Sequence, residues 1–196
     1  MENKDWIHDF EASFNIQCKN QNRMIIGERP YKQRIGSYDL KLQRGNMNIA
    51  FLTTEWIKIT DTLEALFSLL FYSRVKGIKA LSFFMENRIK PIDFADYLEQ
   101  NHRIYLINRL DEMNKSNLQN IKNILSSVEE NFQILFLGNK AFKDSSRIQK
   151  GNDCIQVLHP SGYNISTNSN DYYSTWYKFR LLNNNSNLNL RSFSII

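Results

Sequence analysis

Continuous runs of apolar residues, separated by amphipathic stretches, are the main pattern in this sequence. The runs lie at 23–27, 48–53, 103–108, 132–138 and 154–159, and the second of them is the weakest. Each run is short and bounded by polar or turn-forming residues, which is typical of β-strands. Because the runs are continuous rather than alternating with polar residues, they favour strands of a parallel sheet that is covered on both faces.

Amphipathic helices are predicted between these strands. The stretch 116–130 carries its apolar residues at helical spacing, so these residues define one face of a helix. They are Leu118, Ile121, Ile124, Leu125 and Val128.

Further helices are predicted before the strand at 103–108. The stretches 61–75 and 79–86 have helical patterns, and we expect them to be broken at Gly77. The stretch 91–98 begins with a proline, which suits the first position of a helix. With one more helix ahead of the first strand, this order of elements predicts an α/β fold. We expect a three-layer α/β/α sandwich with a mostly parallel central sheet of about four to five strands.

The length of the chain fits one domain. With 196 residues, of which 42% are hydrophobic and 23% charged, the chain can bury one substantial core but is short for two ordinary domains. We expect a single α/β domain over 1–182, with its last helix at 171–182. A polar, asparagine-rich tail follows at 183–196.

Composition limits the compartment and the cofactors. Two cysteines, Cys18 and Cys154, are too few for a disulfide framework, a four-thiolate zinc site or an iron–sulfur cluster. We therefore expect two buried thiols in a reducing compartment. The first residues lack the pattern of a signal peptide, and the most apolar window, 66–72, is far shorter than the ~20 residues that span a bilayer. A soluble, cytoplasmic protein without membrane association is the expectation.

Three of the predicted strands end in residues with distinctive chemistry. The first strand leads into 27–31, Gly-Glu-Arg-Pro-Tyr, the strand at 103–108 ends in Asn108, and the last leads into 159–164, His-Pro-Ser-Gly-Tyr-Asn. Taken singly, these segments are an ordinary turn, a helix-capping asparagine and a loop. Ligands of parallel sheets gather at the carboxyl ends of the strands, so the joint occurrence of the three favours a binding site.

This set resembles the motifs of the uracil-DNA glycosylase superfamily. Housekeeping members of that family have Gly-Gln-Asp-Pro-Tyr-His after the first core strand, Leu-Leu-Leu-Asn at a middle strand and His-Pro-Ser-Pro-Leu after the last. The counterparts in this sequence are 27–32, 105–108 and 159–163, and 134–141 is similar to the family's apolar strand with its Trp-Gly and following alanine. The match keeps the family's order over 23–164.

The resemblance implies a pocket for one pyrimidine, with Gly27 opening the first motif. An enzyme that acts on a base has to extrude the nucleotide and bind it in such a pocket. Asn108 takes the place of the family's pocket asparagine, whose amide offers a donor and an acceptor to the pairing edge of the base. Tyr31 would exclude the methyl group of thymine, and Phe51 is the candidate for the ring that stacks on the base.

The same resemblance assigns the departing base and the DNA strand to residues near the last motif. His159 would donate to O2 of the base as negative charge develops there. Ser161 would hold a phosphate, and Lys32 lies where family members approach the DNA backbone. Tyr163 falls at the position where the family inserts a leucine into the vacated stack, and a tyrosine can fill that space by stacking.

One position departs from the family. Arg29 stands where the family has the aspartate that positions water, and an arginine cannot act as a general base. Arg29 could instead stabilise the anionic leaving base or bind a phosphate. Glu28 is the carboxylate that could substitute for the aspartate, and Asp39 is a weaker alternative. The competing interpretation of Glu28 and Arg29 is a solvated turn.

Basic residues form two groups that suit contact with DNA phosphates, although each lysine taken singly fits a solvated surface equally well. The first group is Lys32, Arg34, Lys41 and Arg44, and the second is Lys140, Lys143, Arg147 and Lys150. His8 and His102 lie away from the motifs and are interpreted as structural. With no second His or Cys at ligand spacing, we expect neither a metal nor a cofactor.

The leading hypothesis is a monofunctional DNA glycosylase, a hydrolase that cleaves the N-glycosidic bond of uracil or a related pyrimidine and leaves an abasic site. A second version keeps the reaction but takes a modified base in foreign DNA. The alternative from another class is a DNA- or base-binding module that retains the pocket without hydrolysis, as Arg29 suggests. The expected partner is single- or double-stranded DNA, and the expected state is a monomer. An unrelated nucleotide-binding domain is the remaining possibility, although no phosphate-binding glycine motif is present.

Overall fold

The computed structural model describes residues 6–14, 16, 22–28, 34–35, 38–39, 42–44, 47–56, 61–71, 74–110, 115–128, 131–148 and 152–157. The helices are α1 (Trp6–Ser13), α2 (Asp61–Phe71), α3 (Arg74–Glu86), α4 (Pro91–His102) and α5 (Leu118–Ser126), and a 3-10 helix spans Ala141–Arg147. The strands are β1 (Asn22–Gly27), β2 (Arg34–Ile35), β3 (Tyr38–Asp39), β4 (Gln43–Arg44), β5 (Met47–Asn48), β6 (Ile104–Asn108), β7 (Phe132–Leu137) and β8 (Asp153–Val157).

Four strands form one parallel sheet in the order β6-β1-β7-β8. The strands β1, β6 and β7 are short and buried along almost their whole length, as strands covered on both faces are. The register pairs Gly27 with Asn108 and Leu137 with Val157, so the four strands end at one common edge. The predicted α/β class and the mostly parallel sheet are therefore confirmed.

The two faces of the sheet bury different sets of side chains, because successive residues of a strand point to opposite faces. Ile25 of β1 packs into a core that also contains residues of the helices α1 to α4. Its neighbours Met24 and Ile26 pack into a second core with Ile121 of α5 and Ala141 of the 3-10 helix. A helical layer therefore lies on each face, which confirms the predicted three-layer sandwich.

Gly77 lies inside α3, so the expected helix break at this residue is wrong. The helix α2 ends at Phe71 and α3 begins at Arg74. A Cβ atom on Gly77 would lie 2.7 Å from the carbonyl carbon of Phe67 and 2.7 Å from the amide nitrogen of Ser68. Glycine is used here because it lets the backbones of α2 and α3 approach closely.

Substituting Gly77 with alanine is expected to destabilise the fold. Alanine gains about 1 kcal/mol over glycine in helix propensity. Its methyl group would however press on the rigid backbone of Phe67 and Ser68, and overpacking of this kind costs about 1–3 kcal/mol. Because the clash exceeds the propensity gain, we expect the urea midpoint of unfolding to fall. Lys79→Ala, at an exposed position of the same helix, is the control and should change stability by less than about 0.5 kcal/mol.

The expected strand at 48–53 is wrong beyond its first residue. The two-residue strand β5 ends at Asn48, and 49–52 runs without regular structure beside the outer edge of β6, where the amide of Ala50 donates to the carbonyl of Leu106 over 3.4 Å. Phe51 has a φ of 67°, a left-handed value that a strand residue does not adopt. The segment covers the edge of β6 that faces away from β1, without adding a strand to the sheet.

The remaining differences concern shorter segments. The helix expected over 116–130 is shorter, Leu118–Ser126, and the element between β7 and β8 is a 3-10 helix. The two-residue strand pairs β2–β3 and β4–β5 were not predicted. The helix expected at 171–182 and the tail at 183–196 lie outside the described residues. Among the helices that the structure describes, none is long and apolar enough to cross a membrane.

Candidate active site

Gly27, Phe51 and Asn108 meet at the carboxyl edge of the sheet. Gly27 is the last residue of β1 and pairs with Asn108, the last residue of β6. A Cβ atom on Gly27 would lie 2.8 Å from Oδ1 of Asn108 and 3.0 Å from Cζ of Phe51. Only a residue without a side chain fits between these two groups, so the close packing of the amide and the ring depends on this glycine.

The segment that carries Phe51 is held in place by backbone hydrogen bonds. The amide of Ile49 donates to the carbonyl of Leu42 over 2.8 Å. The carbonyl of Ile49 in turn accepts from Nδ2 of Asn108 at 3.3 Å. Together with the bond from Ala50 to β6, these contacts hold Phe51 in its left-handed conformation, which costs roughly 1–2 kcal/mol for a residue other than glycine. Strain of this kind persists only where the surrounding structure enforces it.

The segments that follow β1 and β6 are joined beyond the ends of the strands. The amide of Arg109 donates to the carbonyl of Gly27 over 2.8 Å, and the amide of Leu110 donates to that of Glu28 over 2.9 Å. Nδ2 of the buried Asn117 donates to the carbonyl of Asn108 over 3.0 Å. These bonds fix the backbone on both sides of the Asn108 amide.

Glu28 follows directly after Gly27 and lies beside Lys140, which follows β7. Oε1 of Glu28 is 3.6 Å from Nζ of Lys140, and the side chains are 23% and 64% exposed. Gly138, with a φ of 94°, makes the turn that leads from β7 to Lys140. β7 is the neighbour of β1 on the side opposite to β6. The edge therefore carries an amide, a carboxylate and an ammonium group in that order.

The structure brings together four of the residues that the sequence assigned to the site: Gly27, Glu28, Phe51 and Asn108. The other six lie outside the described residues: Arg29, Tyr31, Lys32, His159, Ser161 and Tyr163. Asn108 is 2% exposed and Phe51 is 8% exposed. Both side chains are therefore almost fully buried at this edge of the sheet. Val157, the last residue of β8, ends at the same edge, and His159 comes two residues later in the sequence.

One of the basic residues expected near DNA has another role. Arg44 donates hydrogen bonds to the carboxylates of Asp96 and Glu99, both on α4. The two carboxylates lie three residues apart on one face of the helix, so a single guanidinium can bind both. The side chain attaches β4, and through it β5, to α4, and the expected contact of Arg44 with DNA phosphates stays a prediction.

Contacts of Asn108 with Ile49 and Asn117 were missed in the sequence. No local pattern marks these contacts, because Ile49 lies 59 residues before Asn108 in the sequence and Asn117 lies nine residues after it. His102 fits its structural interpretation, since its Nε2 lies 2.8 Å from the hydroxyl of Tyr97, which donates to Glu11 on α1. Burial and the neighbouring Glu11 carboxylate raise the pKa of Tyr97 far above its usual value.

A cysteine thiol and a small cavity are two further features of the described residues. Cys154 is partly buried, where a buried thiol was expected. Desolvation, and to a lesser extent the nearby Asp153 carboxylate, raise its pKa to about 11. Cys18 lies outside the described residues. A cavity of about 20 Å³ between β5, β6 and α4 has room for a water molecule rather than a base. In the described part of the chain, no cluster of His, Cys, Asp or Glu could hold a metal ion.

No protein-family model matches this sequence, and no curated protein does either.

Proposed function

We propose that the protein is a DNA glycosylase that hydrolyses the N-glycosidic bond of uracil or a related pyrimidine in DNA. The observation that carries the proposal is the meeting of the Asn108 amide, the Phe51 ring and the Gly27 backbone within contact distance, with Glu28 as the next residue. Independent elements of the chain supply these groups. A site that binds a pyrimidine needs a polar group to pair with the edge of the base, an aromatic ring to stack on it and a backbone without a side chain that would block it.

Asn108 is the residue that would select the base. An amide presents a donor and an acceptor side by side, which complements O4 and N3–H of uracil. Donation from Nδ2 to the carbonyl of Ile49 holds the orientation of this amide. An amide nitrogen carries two hydrogens, so this bond uses only one of them. Cytosine presents the opposite pattern and would be rejected.

Phe51 would support the base from one face. Stacking of a base on an aromatic ring contributes about 1–3 kcal/mol. The left-handed backbone of Phe51 and the absence of a side chain on Gly27 set the position of this ring. A stacking surface that is fixed before the base arrives loses less entropy on binding than a mobile one.

Glu28 would supply the carboxylate for hydrolysis. When the bond between C1′ and N1 breaks, the bonding electrons leave with the base and the sugar becomes cationic. The oxygen of a water molecule then bonds to C1′. The Glu28 carboxylate would stabilise the cation and accept the proton that this water loses. His159 would donate to O2 of the departing base. The products are the free base and an abasic site.

The test uses uracil-containing oligonucleotides, single- and double-stranded, incubated with purified protein and then with alkali. Strand scission at uracil, with free uracil detected by chromatography, is the expected result. Oligonucleotides with cytosine or thymine at the same position are the matched controls and should remain intact. Binding without scission, unchanged by added metal, supports the alternative of a non-hydrolytic binding module. Neither binding nor scission on any of the oligonucleotides refutes the proposal.

A further inference from the structure

We propose that Lys140 is a positioning residue, whose ammonium group holds the carboxylate of Glu28 in the orientation needed for hydrolysis. The inference rests on the proposed function and adds to it a residue that the motifs did not assign to the reaction. Nζ of Lys140 lies 3.6 Å from Oε1 of Glu28. The two residues follow neighbouring parallel strands, so their proximity is a consequence of the sheet order.

The backbone around Lys140 is held on both sides. Gly138 makes the turn after β7 with a φ of 94°. Nε2 of Gln156 donates to the side chain of Asn139, which ties the turn to β8. Ala141 is fully buried and begins the 3-10 helix. Lys140 therefore projects from a fixed point of the backbone, as a positioning residue has to.

The backbone of Glu28 is also fixed, because its carbonyl accepts a hydrogen bond from the amide of Leu110 over 2.9 Å. The side chain beyond it has several rotatable bonds, so the direction of the carboxylate depends on its charged neighbours. Opposite charges attract more strongly as water leaves the site, and binding of DNA over this edge would exclude water. The pair should thus become stronger when the substrate is bound.

A role in binding phosphate is the alternative for an exposed lysine, and the position of Lys140 argues against it. A phosphate on its ammonium group would lie close to the carboxylate of Glu28, and like charges repel. Lys143 is exposed in the 3-10 helix, three residues further along the chain. It provides a matched comparison, because a lysine that binds only phosphate affects affinity and its salt dependence rather than the chemical step.

The kinetic test compares Lys140→Met, Lys140→Arg, Lys143→Met, Glu28→Gln and the double variant Glu28→Gln/Lys140→Met on the uracil oligonucleotide. We expect Lys140→Met to lower kcat about tenfold with little change in KM, and Lys140→Arg to restore most of kcat. Lys143→Met should raise KM and leave kcat unchanged. The double variant should be no slower than Glu28→Gln alone. If Lys140→Met raises KM and keeps kcat, Lys140 binds phosphate and the inference is wrong.

A second measurement does not depend on activity and separates this inference from the proposed function. Crystal structures of the wild type and of Lys140→Arg should show the Glu28 carboxylate in one shared orientation, whereas in Lys140→Met it should move or adopt several rotamers. An unchanged, single orientation in Lys140→Met would overturn the inference even if the wild type excises uracil. If the wild type is inactive, the proposed function fails, and these structures still decide whether Lys140 positions Glu28.

Discussion

Glu28→Gln is expected to slow the release of uracil by at least about a hundredfold while the protein remains folded. General base catalysis typically contributes about 10²- to 10⁴-fold, and an amide cannot accept the proton of the attacking water. The substitution keeps the size and shape of the side chain, which is 23% exposed beside Lys140. The measurement is the single-turnover rate of base release, with the unfolding transition recorded for the same preparation.

Glu99→Gln is the matched control for this experiment. Glu99 is also a partly exposed carboxylate next to a basic side chain, Arg44, but it lies on α4 away from the carboxyl edge of the sheet. Both substitutions remove one ion pair, and only Glu28→Gln removes the base. A fully active Glu28→Gln protein would exclude Glu28 as the carboxylate. An equal loss of activity in both variants would indicate a general effect of ion pairs on the fold.

The central sheet could be predicted because its strands are buried on both faces. Residues 23–27, 103–108, 132–138 and 154–159 each gave a continuous apolar run, and each became a strand with bounds shifted by a residue or two. A strand that is buried on both faces of a parallel sheet has few alternatives to a continuous run of apolar residues. The convergence of Gly27 and Asn108 follows from the same fact, since the carboxyl ends of adjacent parallel strands lie side by side.

The errors fall where contacts between distant segments override a local pattern. The apolar run at 48–53 resembles a strand, but the left-handed backbone of Phe51 and the bonds of its segment to β6 prevent regular pairing. Gly77 resembles a helix break, but it lies where α3 touches the backbone of α2. The pairing of Arg44 with Asp96 and Glu99 was not predicted either, because these carboxylates lie 52 and 55 residues further along the chain. None of these contacts between distant segments can be predicted from the local sequence.

Asn108→Asp is expected to reduce the preference for uracil over cytosine by about 10- to 100-fold. The substitution replaces the donor that would face O4 of uracil with an oxygen, which repels O4 and can accept from the amino group of cytosine. Loss of a good bidentate contact changes discrimination between bases by about 1–3 kcal/mol. Rates of base release from matched uracil and cytosine oligonucleotides measure this preference. Unchanged selectivity would remove Asn108 from the base-binding site.

The control for Asn108→Asp has to separate selectivity from stability, because the substitution also breaks the hydrogen bond to Ile49 and places a carboxylate at a buried position. Asn117→Asp makes the same chemical change at a buried residue whose amide also donates to a backbone carbonyl, that of Asn108. Both variants should lose stability, by about 1–3 kcal/mol. Only Asn108→Asp should change the base preference, because only Asn108 lies against Gly27 and Phe51. If Asn117→Asp changes selectivity equally, the preference depends on the backbone at Asn108, to which Asn117 donates, rather than on the Asn108 amide itself.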